Sequence, residues 1–226
     1  MRSRSRLALL IVGVVVGAAA LWALSVSPVA LSSADLLLSL GMPRRAVVVY
    51  ERVARSNVRT DVRSRALDRA AMIYAVQLGQ PERALDCLQD LMRSELSRPA
   101  RAEVLARIGA MQRDAADPAK AAQRFREAHD LDPAAAAAAA RLAQSARASL
   151  AAGQPRRADR SWRRLADRHP VFRGTASLER GHLKLRRGDV RGALQLYHRA
   201  VDTSFDSDVQ DIATLGINTC RVRLRQ

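Results

Sequence analysis

Aromatic side chains are scarce, eight among 226 residues or 4%. Aromatics bury the most area per side chain, so a chain this poor in them must build its core from Ala, Leu and Val, which favours closely packed helices over sheet. Cysteine is scarcer still. Cys87 and Cys220 alone exclude a disulfide-framed mini-domain and any cysteine-rich zinc cluster. Asparagine occurs only at Asn57 and Asn218, and all but two of the 38 basic residues are arginine. Acidic residues number only 22, leaving a net charge of +16 that points to anionic partners without giving a site. The 48% apolar content excludes a disordered chain.

Charge is missing altogether between Arg6 and Asp35. The apolar stretch Leu7 to Leu24, taken as a helix, is roughly 27 Å long and matches a bilayer core. Trp22 stands near its far end, and Arg2, Arg4 and Arg6 orient it with the N-terminus in the cytoplasm. The expectation is a cytoplasmic segment at 1–6, a transmembrane helix at 7–26, and a single-pass protein of the inner (plasma) membrane whose remainder is periplasmic. A cleaved signal peptide, releasing a soluble periplasmic protein, is the rival reading. Signal peptides usually have a shorter apolar stretch of about 7–15 residues, and Pro28 directly after Ser27 suits cleavage poorly. Gly13 and Gly17 have the small-xxx-small spacing that lets two membrane helices approach as a homodimer, or are simply tolerated small residues.

One phrase recurs through the rest of the chain: LGMPRRA ending at Ala46, LGQPERA at Ala84, AADPAKA at Ala121, AGQPRRA at Ala158 and RGDVRGA at Ala193. The alanines are 38, 37, 37 and 35 residues apart, a period in the range of stacked repeats. Each phrase reads as a turn between two helices. Gly41, Gly79, Gly153 and Gly188 can end the first helix in the left-handed conformation, where the third repeat has Ala116. Pro43, Pro81, Pro118 and Pro155 suit the opening of the second helix, and Asp117 and Asp189 stand at N-cap positions. Four residues after each alanine comes a bulky side chain, Tyr50, Leu88, Phe125, Trp162 or Tyr197, on the same helix face. Half of the aromatics are spent on this one position.

The small-xxx-large spacing, the small residues Ala128 and Ala200, the closing Pro133 and Pro170 and the first-helix pairs Ile108-Gly109 and Arg180-Gly181 resemble the tetratricopeptide repeat (TPR). The family's first-helix Trp and Tyr are absent. The resemblance covers about 27–206 and implies an all-α fold, a right-handed superhelical stack of five helix pairs at 27–61, 62–98, 99–133, 134–171 and 172–206. A capping helix at 207–226 would follow, with Arg221, Arg223 and Arg225 facing water. It also implies a concave groove lined by first helices, with Arg69, Ile73, Arg113, Arg147 and His182 as candidate binding residues and Val76, Leu150 and Leu185 as apolar neighbours. With no asparagine between Asn57 and Asn218, the family's carboxylate clamp for peptide C-termini is not expected.

No catalytic or metal-binding spacing occurs among the four histidines, and there is no phosphate-binding glycine loop or nucleophile elbow. No cofactor or enzymatic activity is expected. Cys87 and Cys220, more than three repeats apart, are expected not to bond to each other. Charge is concentrated in the fourth repeat, where Arg156, Arg160, Arg163, Arg164 and Arg168 face away from Ala158, Trp162 and Leu165. This basic ridge reads either as a solvated face or as a site for an acidic protein, an anionic lipid or a glycan. Nucleic acid fits poorly, because no aromatics are interleaved with the charge. The expected function is a membrane-anchored scaffold that mediates protein–protein interactions in the cell envelope. The alternatives are a secreted soluble adaptor and a glycan- or lipid-binding accessory subunit.

Overall fold

The computed structural model describes residues 28–226 except Asn57, and among them eleven α-helices and no strand. The chain divides into two compact units, one reaching to Leu96 and the other Ser97–Gln226. In the first, α1 (Pro28–Ser39), α2 (Pro43–Arg55), α3 (Thr60–Met72) and α4 (Pro81–Met92) pack each against the next. A single π-turn, Ile73–Gln77, ends α3. In the second, α5 (Arg98–Asp114), α6 (Pro118–Leu131), α7 (Ala138–Ala151), α8 (Pro155–Arg168), α9 (Arg173–Arg186), α10 (Val190–Thr203) and α11 (Ser207–Arg225) pack in the same sequential way.

The recurrent phrase folds as a tight helix–helix turn. Gly41, Gly79, Gly153 and Gly188 all have φ between 60° and 77°, and Ala116 takes the same left-handed conformation at φ 59°. The carbonyls left over at the end of each first helix are satisfied by the returning backbone, as where Asp117 N–H donates to Gln112 at 2.8 Å and Gln154 N–H to Ser149 at 2.8 Å. Proline opens α2, α4, α6 and α8, where its missing N–H has no helical partner. Asp117 and Asp189 cap α6 and α10, accepting from the N–H of Lys120 at 3.2 Å and of Gly192 at 2.9 Å.

The small–large pairs form the core. Ala46, Tyr50, Ala84, Leu88, Ala121, Phe125, Ala158, Trp162, Ala193 and Tyr197 are each at most 1% exposed. In the second unit each aromatic centres its own cluster. Phe125 packs with Ala121, Ala122 and Ala148, Trp162 with Leu142, Ala146, Leu165 and Leu183, and Tyr197 with Leu178, Val209, Ala213 and Ile217. The Trp162 indole N–H and the Tyr197 hydroxyl have no partner, so both rings act as hydrophobic filling. Tyr197 fits only because Gly181 and Gly216 flank it: a Cβ on either would lie 2.7 Å from a ring carbon.

Two sequence expectations change. Among the described residues no helix is long and apolar enough to cross a membrane, which overturns the placement of this chain as a single-pass protein of the inner membrane. The described helices are 12–19 residues long and mostly amphipathic, with one face committed to neighbouring helices. The 7–26 stretch, with Gly13 and Gly17, lies outside the described residues. In the fourth repeat α7 begins at Ala138, and its N-cap, Ala137, has no side chain able to accept a bond. Finally, α11 exposes Arg221, Arg223 and Arg225 but also Leu215, Val222 and Leu224, so its outer side is mixed rather than polar.

Candidate functional site

In the second unit the first helices are largely enclosed by their neighbours, so few of their side chains are exposed. On α7 these are Ala140, Arg147 and Ala151, and on α5 Glu103 with residues of the two ends, Arg98, Pro99, Arg113 and Asp114. Arg147 is exposed and holds no hydrogen bond or ion pair among the described residues, whereas Arg113 is paired to Asp114 at 2.9 Å. His182 on α9 is half-buried, edge-on to the Tyr197 ring at 5.6 Å. In the first unit Arg69 is exposed on α3 and Val76 is 78% exposed just beyond it. Ile73 is 2% exposed and belongs to the core, leaving nothing for a ligand to touch. Leu150 and Leu185 are half-buried and pack against the Trp162 and Tyr197 clusters.

On α8 the helical repeat places Ala158, Trp162 and Leu165 in the core and the arginines outside. Two of the five ridge arginines are relieved by acids. Arg164 reaches Asp130 of α6 at 2.7 Å, and Arg163 comes within 3.9 Å of Asp159, whose other oxygen accepts from Arg180 of α9 at 2.8 Å. Arg156, Arg160 and Arg168 stand exposed, without partners among the described residues. Arg157, omitted from the ridge in the sequence, donates to Gln154 Oε1 at 2.8 Å and lies towards α6. Its helical angle, closer to Arg164 than to Arg156, is the signal that could have included it.

Among the described residues few polar groups are buried, and two of them, Arg141 and Ser145, bridge helices. Arg141 of α7, 5% exposed, donates to Glu103 of α5 at 3.1 Å and to the Ala128 carbonyl of α6 at 3.4 Å. Ser145 donates to the Ala122 carbonyl at 2.8 Å. His129 of α6 is fully buried, with Nδ1 3.0 Å from Asp130 and Nε2 unpartnered, and its ring meets that of His169 edge-on at 5.8 Å. Burial pushes the His129 pKa down, with help from Arg164, against the opposing pull of Asp130. Burial alone would raise Asp130, but hydrogen bonds from His129 and Arg164 hold its carboxyl below the usual carboxylate range.

A cleft of about 850 Å³ lies in the first unit between α2, α3 and α4. Its charges largely cancel, with Arg55 bonded to Glu51 at 3.1 Å and Arg93 to Asp90 at 2.5 Å. Tyr74 donates to Glu51 at 2.6 Å and carries Arg83 over its ring. Cys87 lies against this cleft, its thiol pushed up to about 11 by burial and by the nearby Glu51, Asp90 and Asp86, so it is protonated and a poor nucleophile. Both cysteines are free and buried. Among the described residues no group of three His, Cys, Asp or Glu side chains is placed to hold a metal ion.

No family model matches the chain, and no curated protein matches it. Solved structures do. MamA from Desulfovibrio magneticus RS-1 is 17% identical with a TM-score of 0.53, over 77% of this chain and 93% of MamA. YrrB, described as a TPR protein with an unusual peptide-binding site, is 16% identical at a TM-score of 0.57, over 85% and 90%. The pilF protein of Pseudomonas aeruginosa is 16% identical at 0.50, over 87% and 89%. The fold is therefore that of a TPR-like helical repeat, in agreement with the repeat phrase.

Proposed function

We propose that this protein is a non-catalytic scaffold whose repeats hold another protein or peptide. One observation carries the reading: α7, otherwise enclosed by its neighbours, keeps a narrow outward stripe, and on it Arg147 is exposed and bonded to nothing among the described residues. A guanidinium with five free donors, on a rigid helix, is suited to recognising carboxylates and backbone carbonyls. Arg113 and His182 offer further polar contacts on the neighbouring first helices α5 and α9. YrrB, similar in fold, is described as binding peptide, which supports the same use here.

The test is site-specific photo-crosslinking of the full chain in the cells that make it. A photoreactive residue at Arg147 should trap a discrete protein adduct, whereas the same residue at the exposed Gln123 of α6 should not. Equal labelling at both positions, or none at Arg147, refutes the reading.

A further inference from the structure

Two adjoining hollows open along the N-terminal half of α8, both within the second unit. The inner one, about 250 Å³, is floored by Leu142 and Ser161 and walled by Arg126 of α6 with Arg157, Arg160 and Arg164 of α8. The outer one, about 640 Å³, is bounded by the first turn of α8, by Arg156, Arg157 and Arg160, and by Arg187 just after α9. Arg157 and Arg160 line both, so the two share a wall. Among the described residues no carboxylate lines either hollow. Asp130, which reaches Arg164 on the wall of the inner hollow, is already bonded to it and to His129, and Asp159 of α8 to Arg180. Among the described residues Arg156, Arg160 and Arg187 have no partner, and Arg126 Nε is shut off from water with none.

We propose that these hollows are a docking site for an acidic segment of a partner protein, one carrying Asp or Glu at alternate positions. The proposal rests on the scaffold reading and gives the partner its chemistry. Like charges at i, i+4 on α8 repel one another, a cost that bound carboxylates would reverse. Guanidinium forks match carboxylates in a bidentate manner. The first turn of α8 adds the positive end of its helix dipole to the outer hollow. Spacing favours an extended strand. Arg156, Arg160 and Arg164 rise along the helix by about 6 Å per step. Side chains on one face of an extended strand repeat at about 6.6 Å. A second copy of this chain is disfavoured by its own charge of +16. Nucleic acid is disfavoured because no aromatic side chain lines the hollows to stack on bases.

The experiment uses the full chain and a fluorescent peptide of four Glu-Ser repeats, with Gln-Ser repeats as the neutral control, read by anisotropy. The double substitution R157Q/R160Q should weaken binding of the acidic peptide at least tenfold. R156Q/R187Q, on the outer hollow, should weaken it several-fold. R163Q/R168Q removes the same charge from α8 outside the hollows and should change affinity less than twofold, with circular dichroism confirming helix content throughout. Equal weakening by all three pairs would mean that net charge alone binds, and overturns the proposal. So would an unchanged R157Q/R160Q, displacement of the peptide by 1 mM inorganic phosphate at matched ionic strength, or tighter binding of an oligothymidylate of equal charge with the same arginine dependence. Adducts at position 147 do not depend on these arginines, so the scaffold reading and the acidic site fail separately.

Discussion

Replacing Ala116 by glycine should stabilise the protein. Ala116 ends α5 at φ 59°, where the other four turns have glycine. A left-handed conformation costs an L-residue about 1–2 kcal/mol because Cβ crowds the carbonyl oxygen that follows. Glycine avoids that crowding but loses about 0.5–1 kcal/mol through the greater freedom of the unfolded chain. The difference is a gain of about 0.5–1 kcal/mol, which in a unit of this size raises Tm by about 2–4 °C. Gly153→Ala is the converse. Nothing lies within 4 Å of a Cβ built there, so its loss of the same order would be backbone strain alone. The assay is urea and thermal unfolding of the full chain followed by circular dichroism. Ala119→Gly, at an exposed position in the first turn of α6, serves as control and should destabilise. If Ala116→Gly destabilises as much as the control does, the turn is not strained at Ala116 and the reasoning fails.

Two further predictions concern the second unit. Gly181→Ala or Gly216→Ala should cost about 1–3 kcal/mol by overpacking, since the new methyl meets the Tyr197 ring at 2.7 Å and the opposite glycine blocks retreat; adding Tyr197→Leu should recover part of the loss in urea unfolding, and full additivity would show that the ring is not the obstacle. Stability should also depend on His129. Its folded pKa lies below the ordinary 6.5, so the unfolded chain takes up the proton first, and stability present above pH 6.5 is lost as the pH falls through that value. The slope from one proton is at most about 1.4 kcal/mol per pH unit. Subtracting the pH profile of His129→Leu from that of the parent isolates this contribution from the other three histidines. A difference that does not change between pH 7.5 and 5 would disprove it. The Asp130 carboxyl, lowered instead, acts only near and below its ordinary pKa of 3.8 and does not overlap this window.

What the sequence by itself determined is local and periodic. A turn is encoded by the glycine or alanine, the proline or aspartate and the alanine of a seven-residue phrase, because left-handed φ, a fixed φ and an N-cap are properties of single residues and their immediate neighbours. The i, i+4 pairing of Ala158 with Trp162, or Ala193 with Tyr197, follows from helix geometry alone. Only the tertiary structure decided which helices close over which faces. It put Ile73 in the core although its spacing suits a groove, and it set Arg164 against Asp130, 34 residues earlier in the chain. It also brought Arg126 and Arg187 to Arg157 and Arg160, turning a ridge on one helix into two hollows shared by several. Those meetings depend on crossing angles and on how closely alanine lets helices approach, and no period in the sequence records them.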